Sequence, residues 1–162
     1  MIRLQQGAVE AINSEIEKAV ERFNGDIVRE LSIIGTKATT RAREVVVQNG
    51  VAAAGWMPYK VDSSNLVSST GYAITYNGQI IDMSDFSPVG GPNGDGAEGS
   101  QKGRAYVRQL AAMFPQGYSL ILVAGMHYAS YVQELYHRDV LVSGELLAEK
   151  LVNDLQNKLK RQ

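Results

Sequence analysis

The first third of the chain places its large apolar residues at helical spacing. Gaps of 3, 4, 4, 3, 4, 4 and 3 residues separate Val9, Ile12, Ile16, Val20, Phe23, Ile27, Leu31 and Ile34. Such gaps keep side chains on one face of an α-helix. Weaker repeats continue to Asn49-Gly50, a pair that often closes a helix. The pattern predicts one long helix, or two end to end, within residues 1–50, with weak points at Gly25 and Gly35.

This helix is not expected to be stable by itself. Burying its eight large apolar side chains contributes on the order of 10 to 20 kcal/mol. Fixing roughly forty residues costs at least about 1 kcal/mol for each. We therefore expect the helix to pack on a sheet, on other helices or on a neighbouring subunit.

A hairpin is predicted within residues 66–83, because residues 71–83 alternate around Asn77-Gly78. Asn-Gly between alternating segments is a strong hairpin signal, because both turn positions need a positive φ. A two-residue turn predicts the pairs Tyr76 with Gln79, Ile74 with Ile81, and Tyr72 with Met83. That side is mostly apolar, so we expect it to face the core.

Residues 84–104 are rich in glycine and contain two large apolar side chains, Phe86 and Val89. They predict a long loop, since ordering twenty-one residues costs roughly 20 kcal/mol or more and burying two side chains returns only a few. We expect contacts with a neighbouring subunit or another protein to order it. A phosphate-binding loop is disfavoured because no Lys-Ser/Thr pair follows Gly99, and a calcium loop because Ala97 follows the possible ligands Asn93 and Asp95.

Residues 105–162 complete the predicted fold. The patterns predict a helix over 104–114, a central strand over 119–124, a short helix over 126–136, and a last helix capped by Ser143. The fold class is α+β: long N-terminal and C-terminal helices pack on a small, mainly antiparallel sheet with a long glycine-rich loop. We expect one domain over residues 1–162.

Composition narrows the function. The chain has a net charge of -1 and no cysteine, which argues against a nucleic-acid grip through phosphates and against thiolate zinc sites. No apolar run approaches the length of a membrane span. His127 and His137 lack recognisable co-ligands, and Asp82 and Asp85 are more simply interpreted as solubilising a strand edge than as catalytic carboxylates. We expect no enzyme activity, metal or cofactor.

Two stretches resemble a known family. Residues 61–74, VDSSNLVSSTGYAI, resemble the D-T-G-x-L-[RK]-x-S-[IV] pattern of the tail-completion and head-to-tail joining proteins of tailed bacteriophages, which include tail terminators. Residues 120–133, LILVAGMHYASYVQ, resemble that family's later strand followed by Y-A-x-[YF]-V-E. The matched positions are Asp62, Leu66, Ser69, Tyr128, Ala129, Tyr131 and Val132. Ser63, Ser64, Val67 and Gln133 depart from the pattern, where the family has Thr, Gly, Arg or Lys, and Glu.

The resemblance implies a structural virion protein of the phage neck, assembled in the host bacterial cytoplasm. Such proteins form a homo-oligomeric ring, often a hexamer, between the connector and the tail tube, and DNA only passes through the lumen. Connector adaptors and stoppers of the neck are the nearest alternatives, and a small-molecule-binding or hydrolytic domain is a more distant one. The residues we expect at interfaces are Tyr72, Ile74, Tyr76, Phe86, Val89, Asn93, Asp95, Tyr128 and Tyr131.

Overall fold

The computed structural model describes residues 6–52, 64–130, 134 and 139–161. The helices with described bounds are α1 (Gln6–Ala52), α2 (Asn65–Ser68), α3 (Ala97–Ala111) and α4 (Val142–Leu159). The strands are β1 (Thr70–Tyr76), β2 (Gln79–Met83) and β3 (Tyr118–Ala124). The α+β class, with long first and last helices and a small antiparallel sheet, is confirmed.

The N-terminal pattern forms one helix. α1 has 47 residues, which makes it about 70 Å long at a rise of 1.5 Å per residue. Neither glycine breaks it. A Cβ on Gly25 would meet open space, whereas a Cβ on Gly35 would lie 2.6 Å from the ring of Tyr72. Gly35 therefore lets α1 approach β1 closely.

The sheet lies between two helical layers. Its order is β2-β1-β3 and both pairings are antiparallel. Tyr72 and Ile74 of β1 pack on the side of α1 and α4, while Ala73 packs towards α3. Because side chains alternate along a strand, each face of the sheet has its own helix layer.

The hairpin turn is confirmed and most of the predicted register is wrong. Asn77 and Gly78 both have positive φ, 51° and 80°, and Tyr76 pairs with Gln79 as predicted. Beyond that pair a β-bulge shifts the ladder by one residue, so Ile74 lies opposite Asp82 and Ala73 opposite Met83. The extra residue, Ile81, has no place in a strict two-residue alternation.

β3 was expected at the centre of the sheet, and it lies at an edge. Its uninterrupted apolar run has a different cause. Leu120 and Leu122 pack with α1 and α4, and Ile121 and Val123 pack with α3. Because both faces are covered, an edge strand here has the composition usual for a central one.

The glycine-rich segment is not the long loop that we expected. α3 begins at Ala97 and ends at Ala111, seven residues before its expected start and three before its expected end. Gly99, Ser100 and Gly103 form its buried face. A Cβ on Gly103 would lie 2.6 Å from both the Phe86 ring and the Ser69 carbonyl oxygen. These glycines act as small contact residues within a helix.

Residues 84–96 also make specific contacts with the rest of the chain. Phe86 is fully buried and packs with Ala73, Val107 and Ile121. The backbone N–H of Val89 donates to Ser68 Oγ at 2.9 Å. These residues therefore make internal contacts that the sequence did not predict, and ordering of the segment by a partner stays a prediction.

The last helix begins differently from its prediction. α4 starts at Val142, so Ser143 lies inside it, and its backbone N–H donates to Asp139 at 3.0 Å. Asp139 thus takes the capping role that was assigned to Ser143. Much of the helix predicted over 126–136 lies outside the described residues.

Candidate assembly surfaces

An arm formed by residues 9–23 of α1 projects from the rest of the described structure. Every side chain in it is exposed, and it is about 21 Å long. Its large apolar side chains are 40% to 55% exposed. They are Val9, Ile12, Ile16, Val20 and Phe23, called here the arm stripe.

The arm stripe continues the buried face of the same helix. Further along α1, Leu31, Ile34 and Ala38 are buried against the sheet and α4. The gaps between successive apolar residues of α1 repeat as 3, 4 and 4. This repeat of 11 residues keeps the row of side chains nearly straight along the helix. α4 ends at Leu159, which lines the same shallow cleft as Phe23. The stripe becomes exposed where α4 ends.

Charged residues border the arm stripe on both sides. Glu15 and Glu17 lie about 100° to either side of Ile16 on the helix. Lys18 lies towards the opposite face and pairs with Glu15 at 3.0 Å, while Arg22 lies about 120° from Ile16, on the same side as Glu15. Residues 9–23 hold four Glu, one Lys and one Arg, so the margins of the apolar row carry a net charge of -2 and suit an apolar partner surface with a positive net charge.

The outward side of α3 and the turn after it form a second exposed apolar surface. Tyr106 is 42% exposed, Met113 69% and Phe114 42%, and Ala105 and Ala112 beside them are exposed. We call these five residues the α3 outer face. Its margins carry Lys102, Arg104 and Arg108, with Glu98 paired to Lys102 at 2.7 Å.

Among the described residues no strand pairs with the outer edge of β3. Gly125 N donates to Ser69 O at 3.1 Å and Asn77 N to Gly117 O at 3.0 Å, so the odd-numbered residues of β3 bond to β1. In an antiparallel ladder the alternate residues then direct their backbone groups outwards. On β3 these are Tyr118, Leu120 and Leu122. Beside this edge lies a cleft of about 350 Å³ with Glu145 and Glu149 in its lining.

Hydrogen bonds near Asp85 link α1 to the first residue of β1. Arg43 donates two hydrogen bonds to the Thr70 carbonyl, at 3.0 and 2.8 Å, and desolvation lowers the pKa of this arginine. Hydrogen bonds from Ser87 lower the pKa of Asp85, with a smaller contribution from the charge of Arg43. Asp82, its possible catalytic partner, accepts instead from Ser32.

The expected interface residues fall into separate groups. Tyr72, Ile74 and Phe86 are buried within the chain, so a role in contacting another subunit is corrected to a role in the core. Tyr76, Val89, Asn93 and Asp95 are exposed, and a role at an interface stays a prediction for them. Asp95 accepts from Ala97 N at 2.9 Å, at the start of α3. Tyr131 lies outside the described residues.

Tyr128 connects the two stretches that carry the family resemblance. Its side chain and Ala129 pack on a buried cluster that includes Leu66 and Val67. Burial, and then the charge of Glu98, raise the pKa of the Tyr128 phenol. The two stretches, distant in sequence, therefore meet in one apolar cluster.

The sequence did not predict either the arm stripe or the α3 outer face as a site. Periodicity detected the stripe residues but could not tell which part of the helix face would be covered. The glycines of α3 hid its helical character, so Tyr106 and Met113 could not be placed on one surface.

Among the described residues, no three His, Asp or Glu side chains are grouped so as to hold a metal ion. In the same residues no helix combines the length and apolar character that crossing a bilayer requires. No family model matches the chain, and no curated protein or solved structure matches it either.

Proposed function

We propose that the protein is a structural component of the neck of a tailed bacteriophage. Copies of it form a ring at the head-to-tail junction, as a tail terminator or tail-completion protein. The ring joins the connector to the tail tube, and DNA passes through its lumen. In the family that the chain resembles, such rings often contain six subunits.

The arm is the observation that carries this proposal. It exposes five large apolar side chains in one row, along a part of α1 that no described residue covers. A contiguous row of exposed apolar side chains of this kind marks an interaction site. A repeating subunit with such an arm can bind an identical neighbour, and a head-to-tail contact of this type forms a ring when the rotation between neighbours closes.

Two features support the family resemblance. The stretches that resemble the family pattern pack together through Leu66, Tyr128 and Ala129. In addition, Ser64, which takes the place of the family's glycine, has φ 52° and ψ 16°. This left-handed conformation favours glycine, so the backbone retains the geometry that a glycine there would serve.

Imaging of the phage particle tests the proposal. The expected result is a closed ring of this chain between the connector and the tail tube, and particles made without it should accumulate as filled heads and separate tails. A single copy in the particle, or density in the capsid shell or tail fibres, would contradict the proposal. Native mass spectrometry of the purified neck gives the copy number, which separates a tail terminator from an adaptor or stopper.

A further inference from the structure

We propose that the arm of one copy docks on the α3 outer face of the next copy. This inference rests on the proposed ring and names the contact that builds it. The occupant of the α3 outer face is then the arm stripe of a second, identical chain.

The two surfaces are both apolar, and the α3 outer face is long enough to cover about two thirds of the arm stripe. The arm stripe is about 21 Å long, and the α3 outer face, which runs from Ala105 to Phe114, is about 14 Å long at 1.5 Å per residue. Tyr106 of α3 and Met113 of the turn after it are exposed and stand seven positions apart. The small residues Ala105 and Ala112 beside them leave room for the large side chains of a second helix.

The charges of the two surfaces are complementary. The margins of the arm carry a net charge of -2, from four Glu, one Lys and one Arg, whereas α3 carries +2, from one Glu, one Lys and two Arg. The cleft beside β3 is a poorer site for the arm, because Glu145 and Glu149 in its lining have the same sign as the arm margins. Complementary margins also set the register of a contact and reject wrong partners.

The contact joins different surfaces of two copies. Within one chain the sheet separates the layer of α1 and α4 from α3, so the arm and the α3 outer face lie on opposite sides. A contact between them is heterologous, and each copy keeps one free arm and one free α3 outer face. Repetition gives a ring when the rotation closes.

Disulfide trapping on the intact chain tests this contact, since the sequence has no cysteine of its own. Asn13→Cys places a thiol beside the arm stripe and Gln109→Cys places one between Tyr106 and Met113. Asn153→Cys, on the exposed side of α4, is the matched control. We expect mixed Asn13→Cys and Gln109→Cys chains to form disulfide dimers under mild oxidation, and Asn13→Cys with Asn153→Cys to stay at background.

Charge reversal supplies the second part of the test. Glu15→Lys with Glu17→Lys, or Lys102→Glu with Arg108→Glu, should each weaken assembly roughly tenfold, and chains carrying all four changes should recover it. Any one of three results would overturn the contact. They are equal trapping in the pair and in the control, Asn13→Cys homodimers in place of mixed dimers, and assembly that does not recover when all four charges are reversed.

These outcomes are distinguishable from failure of the proposed function. Trapping is measured on purified chains, and imaging is measured on particles. A ring seen in particles without the mixed disulfide removes this contact and keeps the function. A mixed disulfide from a chain that is absent from particles keeps the contact and removes the function.

Discussion

Phe86 illustrates how a single residue changed the interpretation of its segment. Sequence alone placed it in a glycine-rich loop, where an isolated aromatic residue is more readily assigned to an interface than to the core. In the structure it is fully buried and has a positive φ of 47°, an uncommon conformation for a non-glycine residue. The space for its ring exists because Gly71 and Gly103 carry no Cβ, and such complementarity is invisible without the tertiary fold.

Phe86→Ala is expected to lower the free energy of unfolding by about 3 to 5 kcal/mol, because it empties a packed aromatic site. Val89→Ala, at a position that is 38% exposed, is the matched control and should cost much less. Chemical denaturation of both variants measures the difference. Equal, small losses would contradict the burial of Phe86.

Ser87→Ala is expected to raise the pKa of Asp85 towards its ordinary value, since hydrogen bonds from Ser87 are the main cause of its lowering. A lowered pKa in the folded state contributes stability above the unfolded pKa, and this contribution is lost as the pH falls through the folded value. The variant should therefore lose some stability at neutral pH and little in strong acid. Carboxyl chemical shifts measured against pH test this, and Ser87→Thr, which keeps the hydroxyl, should retain the low pKa.

At the scale of elements, the sequence predicted what local chemistry determines. The 3.6-residue repeat of α1 and the Asn77-Gly78 turn are local signals, and both are confirmed. The bulge at Ile81, the edge position of β3 and the start of α3 depend on contacts between distant residues. Glycines usually mark loops, yet Gly99 and Gly103 lie in a helix because neighbouring elements need to approach it closely.

The glycines of α1 and α3 give a matched pair of substitutions. Gly25→Ala should stabilise the protein by roughly 0.5 to 1 kcal/mol, because alanine is the better helix former and the added Cβ meets open space. Gly103→Ala should destabilise it, since its Cβ would lie 2.6 Å from Phe86 and from a carbonyl oxygen. Thermal unfolding of the two variants gives the signs, and stabilisation by Gly103→Ala would contradict the close packing of α3.

At the scale of the whole molecule, the arm is the surface whose apolar row stays exposed in a single chain. Five apolar side chains about half exposed represent roughly 4 to 7 kcal/mol of burial still available, before the costs of association. The sequence predicted that the helix needs partners. It could not show that α4 covers only the part from Ile27 onwards, because that depends on where α4 ends in space.

Ile16→Lys is expected to weaken self-association while leaving the fold intact, because its side chain is 55% exposed in the separate chain. Leu146→Lys is the control, since Leu146 on α4 is 61% exposed and lies outside both the arm stripe and the α3 outer face. Sedimentation velocity gives the assembly state, and circular dichroism checks the fold. Equal effects of the two changes would remove the special role of the arm.

Native mass spectrometry of the intact chain over a range of concentrations tests most directly whether copies assemble through the arm. The account predicts a closed oligomer with one fixed copy number, which Ile12→Lys with Ile16→Lys converts to folded monomers. A wild-type chain that stays monomeric at every concentration, or an oligomer that survives both changes, would contradict it.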